Sequence, residues 1–303
     1  MKTGRILIPL LSMLGATMLL ATSGIFIKMA DLPAPLMAWF RTAVPVVVLL
    51  AYYLLFPGQR RPGRPSRLIL AGSFINAIRL LLFFAGYLFT SVSNGIIILY
   101  SWPAFAALFG ALFLGEKIPP RNIFLLLFAF AGIFVVYSQS DFSFADSDFI
   151  GMSLLLVSAA LYSLTVIIFK SVSTRYDQVG TTFYQNFLPA LMFAPALLVY
   201  RPFPSGFPLF LALTYALLIG VVAFLLFFTA LKHLPASLTA HLSYFEVIAA
   251  LSLSVLILGD ELTWNKLAGG GMILLSVMFV SGGNKKKGEE HERSEADIEK
   301  GKE

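Results

Sequence analysis

Ten separate stretches of about twenty mostly apolar residues constrain this chain more than any other feature. Lipid offers no partner to a free backbone N–H or C=O, so a segment of about 20 apolar residues crosses the hydrocarbon core only as a helix. The runs fall near 6–29, 35–56, 68–90, 93–114, 122–138, 149–170, 179–200, 208–231, 236–258 and 265–282. Short links at 90–93 and 232–235 predict tight hairpins. The first run is longer than a signal-peptide core and opens a series of spans, which argues against a cleaved leader. Hydrophobic residues make up 58% of the 303 and charged ones only 13%, against about a quarter charged in a soluble domain. The expected fold class is an all-α integral membrane protein.

The basic residues orient that array. With the N-terminus in the cytoplasm, 17 of the 22 lysines and arginines lie on or near the inner side, Arg201 and Lys266 lie outside, and Lys28, Arg41 and Arg79 lie within spans or at their ends. Cytoplasmic connections collect positive charge. The expectation is therefore ten spans in a cytoplasmic (inner) membrane with both termini cytoplasmic. The net charge of +6 is orientation information, since the basic residues sit in connections and not on one amphipathic face, and no nucleic-acid partner is expected. Cysteine is absent and the three histidines are scattered, so neither a disulfide, a metal centre nor another cofactor is expected.

The chain also repeats itself. YSWPAFAALFGALFLGEKI from Tyr100 aligns with YFEVIAALSLSVLILGDEL from Tyr244 at an offset of 144, matching Gly115 to Gly259, Glu116 to Asp260 and Trp102 to Glu246. The same offset pairs Trp39, Phe40, Arg41 and Pro45 with Phe183, Tyr184, Gln185 and Pro189, and a two-residue adjustment pairs Lys28 with Lys170. Five spans per half is an odd number, so the second half enters the membrane from the opposite side. The implied organisation is a first repeat at 1–138, an external linker at 139–148, an inverted repeat at 149–282, and a charged cytoplasmic tail at 283–303, expected to be disordered. Inverted repeats suit alternating access about a midplane site.

These signatures resemble the drug/metabolite transporter superfamily, EamA type. The resemblance rests on Lys28 and Lys170 closing the first helix of each repeat, on Arg41, and on the fourth-helix endings LGEKI from Leu114 and LGDEL from Leu258. It covers residues 6–282. Pro103 keeps the proline of the first half, whereas Val247 stands after Glu246 where the family commonly has proline. The resemblance implies ten helices in two repeats and transport of a small metabolite, with export of an amino acid or related solute preferred and proton exchange open as the coupling. A channel and a non-transporting structural or assembly protein are the alternatives. No HExxH, GxSxG or intramembrane aspartate pair points to an enzyme. Membrane lipids are the other expected partner, and a monomer and a homodimer are both compatible with the sequence.

Ionisable groups inside spans are costly and mark sites or internal fastenings. Glu246 is the one acid well inside a span, with Arg41 two turns into the second span and Arg79 nearly halfway along the third. A static pair of Glu246 with either arginine would account for all three without a ligand. Arginine offers a planar fork for carboxylate or phosphate, and it can also snorkel. Lys28 is a gate candidate on the side where positive charge is less expected, while Lys170 reads as a snorkelling lysine. His241, five residues before Glu246, reads as a satisfied core histidine or a proton relay. Asn76, Asn94, Tyr100, Trp102, Tyr184, Gln185, Asn186 and Tyr244 are candidates for a cavity lining, or for interhelical contacts and aromatic packing. Gly110, Ala111, Gly115, Gly269, Gly270 and Gly271 are expected to permit close helix approach.

Overall fold

The computed structural model describes residues 3–56, 63–114, 120–138, 146–172, 176, 178–234, 236–276 and 278–279. These residues form helices joined by short links: α1 (Thr3–Ala21), α2 (Ser23–Ala30), α3 (Ala34–Leu55), α4 (Arg67–Phe89), α5 (Val92–Leu99), α6 (Trp102–Leu114), α7 (Pro120–Tyr137), α8 (Ser147–Val172), α9 (Gln178–Phe193), α10 (Ala196–Val199), α11 (Gly206–Leu217), α12 (Phe224–His233) and α13 (Ala236–Leu253). A last helix, α14, occupies 264–276. Among the described residues seven segments are long and apolar enough to cross a membrane: Leu7–Ala30, Ala34–Leu55, Arg67–Phe89, Val92–Gly110, Ser147–Phe169, Val179–Val199 and Gly206–Phe227. Ile123–Tyr137 and Leu242–Leu258 are shorter apolar helices. The protein is an all-helical, multi-pass membrane protein.

Several expected single helices are interrupted, each for a local reason. The first breaks at Thr22, whose hydroxyl donates to the Leu19 carbonyl at 2.6 Å, a side-chain bond that competes with the backbone ladder. The fourth breaks between α5 and α6. Ser101 donates to the Ile98 carbonyl at 2.7 Å, and Pro103, unable to continue a ladder, sits in the first turn of α6, where a missing N–H costs little. The eighth and ninth runs contain π-helical turns, at Leu218–Ala223 and Ser254–Leu258. Such turns widen a helix locally and concentrate at functional sites. Clean starts come from Ser66 and Ser91, whose hydroxyls accept from the N–H groups of Ile69 and Asn94 at the heads of α4 and α5.

Packing joins the two halves of the chain throughout. α4 lies along α8, α3 along α9, and α5 against α13, while α1 packs on α12 and α13. Numbered by run, the third pairs with the sixth and the first with the eighth, and each of those pairings becomes the other when the halves are exchanged. The second-with-seventh and fourth-with-ninth pairings map onto themselves. A two-fold exchange of similar halves produces this pattern. Glycine sets the closest approaches: a methyl on Gly86 would lie 3.0 Å from the Gly151 carbonyl, and one on Gly269 would lie 2.5 Å from the Gly132 carbonyl. The expectation for Gly271 is corrected, since a side chain there would meet open space. On the outer surface Leu198, Leu256 and Trp264 are 74%, 81% and 84% exposed, as suits side chains that face lipid.

Candidate functional site

The helix breaks and the π-turn at Leu218–Ala223 surround a central cavity of about 160 Å³. Both halves of the chain supply its wall. α1 and α2 contribute the segment around Ser23, α3 Arg41, α4 Arg79, Phe83 and Tyr87, and the α5/α6 break Tyr100 and Trp102. From the second half come Tyr162 of α8, Tyr215 of α11, Ile219 of the π-turn, Phe224 and Phe227 of α12, and Ser243 and Glu246 of α13.

Arg41 is 6% exposed. Its Nη1 donates to Asn186 Oδ1 at 3.3 Å, its guanidinium lies 5.0 Å from the centre of the Phe224 ring, and Tyr215 lines the same cavity. Gly220 makes this placement sterically feasible: a methyl there would lie 2.8 Å from Pro45 Cγ and 3.3 Å from both Arg41 Nη1 and the Arg41 carbonyl. Arg79 donates through Nε to Asn76 Oδ1 at 3.0 Å, and its guanidinium lies 5.0 Å from the Tyr162 ring and 6.0 Å from Phe83. Asn76 is held in turn by donating to the Gln185 carbonyl at 3.1 Å. Aromatic faces suit guanidinium because the ring quadrupole attracts the cation, and they leave its N–H edge free to donate.

Glu246 accepts from the Tyr100 hydroxyl at 2.9 Å, and that hydroxyl also lies 2.6 Å from the Ser243 carbonyl. Among the described residues neither arginine is ion-paired with Glu246; the partners are amides, hydroxyls and rings. The static pair, the reading that needed no ligand, is therefore not the arrangement adopted.

The other expected site residues have different places. Lys28 donates to the Leu88 carbonyl at 3.2 Å, and Asn94 donates to Thr90 Oγ1 at 3.2 Å; neither lines the cavity. They belong to a polar cluster at the end of the bundle where α2 and α4 finish and α5 and α8 begin. There the Ser93 N–H donates to Asp260 at 2.8 Å, Lys266 donates to Ser93 Oγ at 3.2 Å and to the Glu261 carbonyl at 2.8 Å, and Thr90 donates to Asp148 at 2.6 Å. Tyr184 is also away from the cavity: it donates to the Gly63 carbonyl, and its ring meets Tyr176 at 5.8 Å. Gln185 and Asn186 act behind the wall, through Asn76 and Arg41. Tyr244 backs Tyr100, with ring centres 6.3 Å apart. The side chains of His241 and Lys170, and residues Gly115 and Glu116, lie outside the described residues.

Sequence reasoning did not find Tyr87, Tyr162 and Tyr215 as wall residues. An aromatic ring in an apolar span carries no signal of which way it faces.

A multi-helix membrane protein with a central, partly charged cavity lined by both halves is a solute transporter in form. The chain belongs to the EamA-like transporter family, whose model matches it twice, over residues 7–138 and 149–282. It is similar to an uncharacterised transporter of Archaeoglobus fulgidus, 24% identical over 73% of this chain and 78% of that one. It is also similar to the pseudopaline exporter CntI of Pseudomonas aeruginosa, 26% identical over 83% of this chain and 87% of that one. A solved crystal structure shares the fold at a TM-score of 0.62 and 18% identity, covering 89% of this chain and 96% of its own. The protein transports a small solute across a membrane.

Proposed function

We propose that the protein is a secondary transporter that carries an amino acid or related metabolite out of the cell by alternating access. The reading has ten crossings of the cytoplasmic membrane, both termini inside, and two inverted repeats, 1–138 and 149–282, rocking about the central cavity. The observation that carries it is the meeting of Arg41, Arg79 and Glu246 on one cavity wall without pairing to one another. Buried charges that do not satisfy each other remain available to a ligand. The exchange-symmetric packing supports alternating access, and the relative that is an exporter supports the outward direction. Glu246 is the group through which proton exchange would couple to the solute, with Tyr100 orienting it.

Purified protein in vesicles loaded with unlabelled amino acid tests this reading. A carrier shows saturable flux and accelerated uptake of labelled solute against the loaded pool; flux proportional to concentration, with no such counterflow, contradicts it. Topology is checked by impermeant thiol labelling of intact cells carrying Ser205→Cys or Gly63→Cys. A side chain at Gly63 meets nothing within 4 Å, and Ser205 is exposed. Labelling at 205 with protection at 63 is expected, and the reverse would invert the orientation.

A further inference from the structure

The charge and hydrogen-bonding state of the cavity wall narrow the solute class; this inference rests on the carrier reading. Two guanidinium groups and one carboxyl group line the cavity, so the three side chains sum to +1 with Glu246 ionised and to +2 with it neutral. Among the described residues none of the three has an ion-pair partner, and their side-chain hydrogen bonds are those given above. A neutral solute would leave both cations in a low-dielectric site without a counter-ion, an arrangement that is strongly disfavoured.

The donors still open on each arginine say where the counter-charge goes. Nε of Arg79 is committed to Asn76, and Tyr162 and Phe83 lie against the guanidinium. Its two terminal nitrogens are left, and end-on they form the fork that binds both oxygens of one carboxylate. Arg41 is braced by Asn186 and the Phe224 ring and supplies a second cationic point from another helix. Glu246 reaches the same space from α13, with its Oε2 held by Tyr100.

We infer that the transported solute carries two acid groups and one amine: one carboxylate takes the end-on fork of Arg79, the second faces Arg41, and the ammonium faces Glu246. An amino acid with an acidic side chain is the smallest such molecule, and its net charge of −1 cancels the +1 of the wall. A simple neutral amino acid satisfies one arginine and leaves the other bare. A basic amino acid adds a like charge.

Calorimetric titration of the purified protein in lipid nanodiscs with aspartate, glutamate, succinate, leucine and lysine tests this without any variant. Aspartate or glutamate is expected to bind saturably, succinate more weakly because it gives Glu246 no ammonium, leucine at least about tenfold more weakly, and lysine weakest of all. Arg79→Gln is expected to weaken acidic amino-acid binding at least about thirtyfold and leucine binding by less, with Arg79→Lys restoring only part because lysine lacks the fork. Leucine or lysine binding as tightly as the acidic amino acids, or no saturable binding of either acidic amino acid up to about 10 mM, overturns the inference. Counterflow of leucine in vesicles without acidic amino-acid binding would leave the carrier standing and remove the acidic solute. Acidic amino-acid binding with no flux of any solute would do the opposite.

Discussion

The central cavity and the polar cluster at the α4–α5 end of the bundle hold the same kinds of residue in different charge balance: Lys28 lies among Asp260, Asp148 and Asp31, whereas the cavity wall carries two guanidiniums and one carboxyl. At the end cluster each acid and base named above is tied to a fixed backbone or hydroxyl partner: Asp260 to the Ser93 N–H, Lys266 to Ser93 Oγ and the Glu261 carbonyl, Asp148 to Thr90, Lys28 to the Leu88 carbonyl. Several of these bonds cross from one half of the chain to the other. In the cavity Arg41, Arg79 and Glu246 are positioned by amides, hydroxyls and rings, and their charges are left unneutralised by one another. Where acids and bases lie together the cluster offsets its own charge and fastens helices. Where guanidiniums outnumber carboxyls the excess is set to receive a counter-charge.

The largest effect that separates the two regions is expected at the cavity. Arg79→Gln should lower vesicle flux at matched folded protein by at least about thirtyfold, since a buried charged contact to the solute is lost. Wild-type flux in this variant would reduce Arg79 to a cation resting between rings. Glu246→Gln comes next. It keeps the volume and the ability to accept from Tyr100 while removing ionisation, so loss of gradient-driven flux with normal folding identifies a charged role. A wild-type rate with unchanged pH dependence would make that role untenable, even if Glu246→Ala failed to fold.

The end cluster should answer in stability instead. Asp260→Ala removes the acceptor for the Ser93 N–H and is expected to cost about 1–2 kcal/mol of resistance to unfolding, with flux per folded molecule within a few-fold of wild type. A large fall in flux at unchanged stability would move this cluster from fastening to gating. The smallest effect is expected at Tyr184→Phe, which deletes one hydroxyl donated to the Gly63 carbonyl. About 1 kcal/mol of stability and no measurable change in solute preference are expected; altered preference would extend the site toward α9.

The same contrast explains which parts were legible in the sequence. Arg41, Arg79 and Glu246 stand out because a charge in an apolar run is rare, and the 144-residue offset that aligns Tyr100 with Tyr244 picked out α5 and α13, which do face each other. Lys28 and Asn94 also stood out as polar groups in spans but lie outside the cavity, bonded to the Leu88 carbonyl and Thr90, because where such a group ends up depends on partners from other helices. Tyr162 and Tyr215 gave none, since a ring in a span looks alike whether it faces lipid, core or cavity. The run lengths gave the spans but not their interruptions. Thr22, the Tyr100–Ser101 break and the π-turn beside Arg41 are set by side-chain bonds and by packing, which hydropathy averages away.

A paired measurement on Arg79→Gln and Asp260→Ala, with flux and thermal unfolding recorded on the same vesicle preparations, tests the division most directly. The account predicts that Arg79→Gln loses flux while unfolding close to wild type, and that Asp260→Ala unfolds earlier while the surviving protein transports. Flux and stability falling in proportion in both variants would contradict it, because the cavity charges would then be fastenings like those at the end of the bundle.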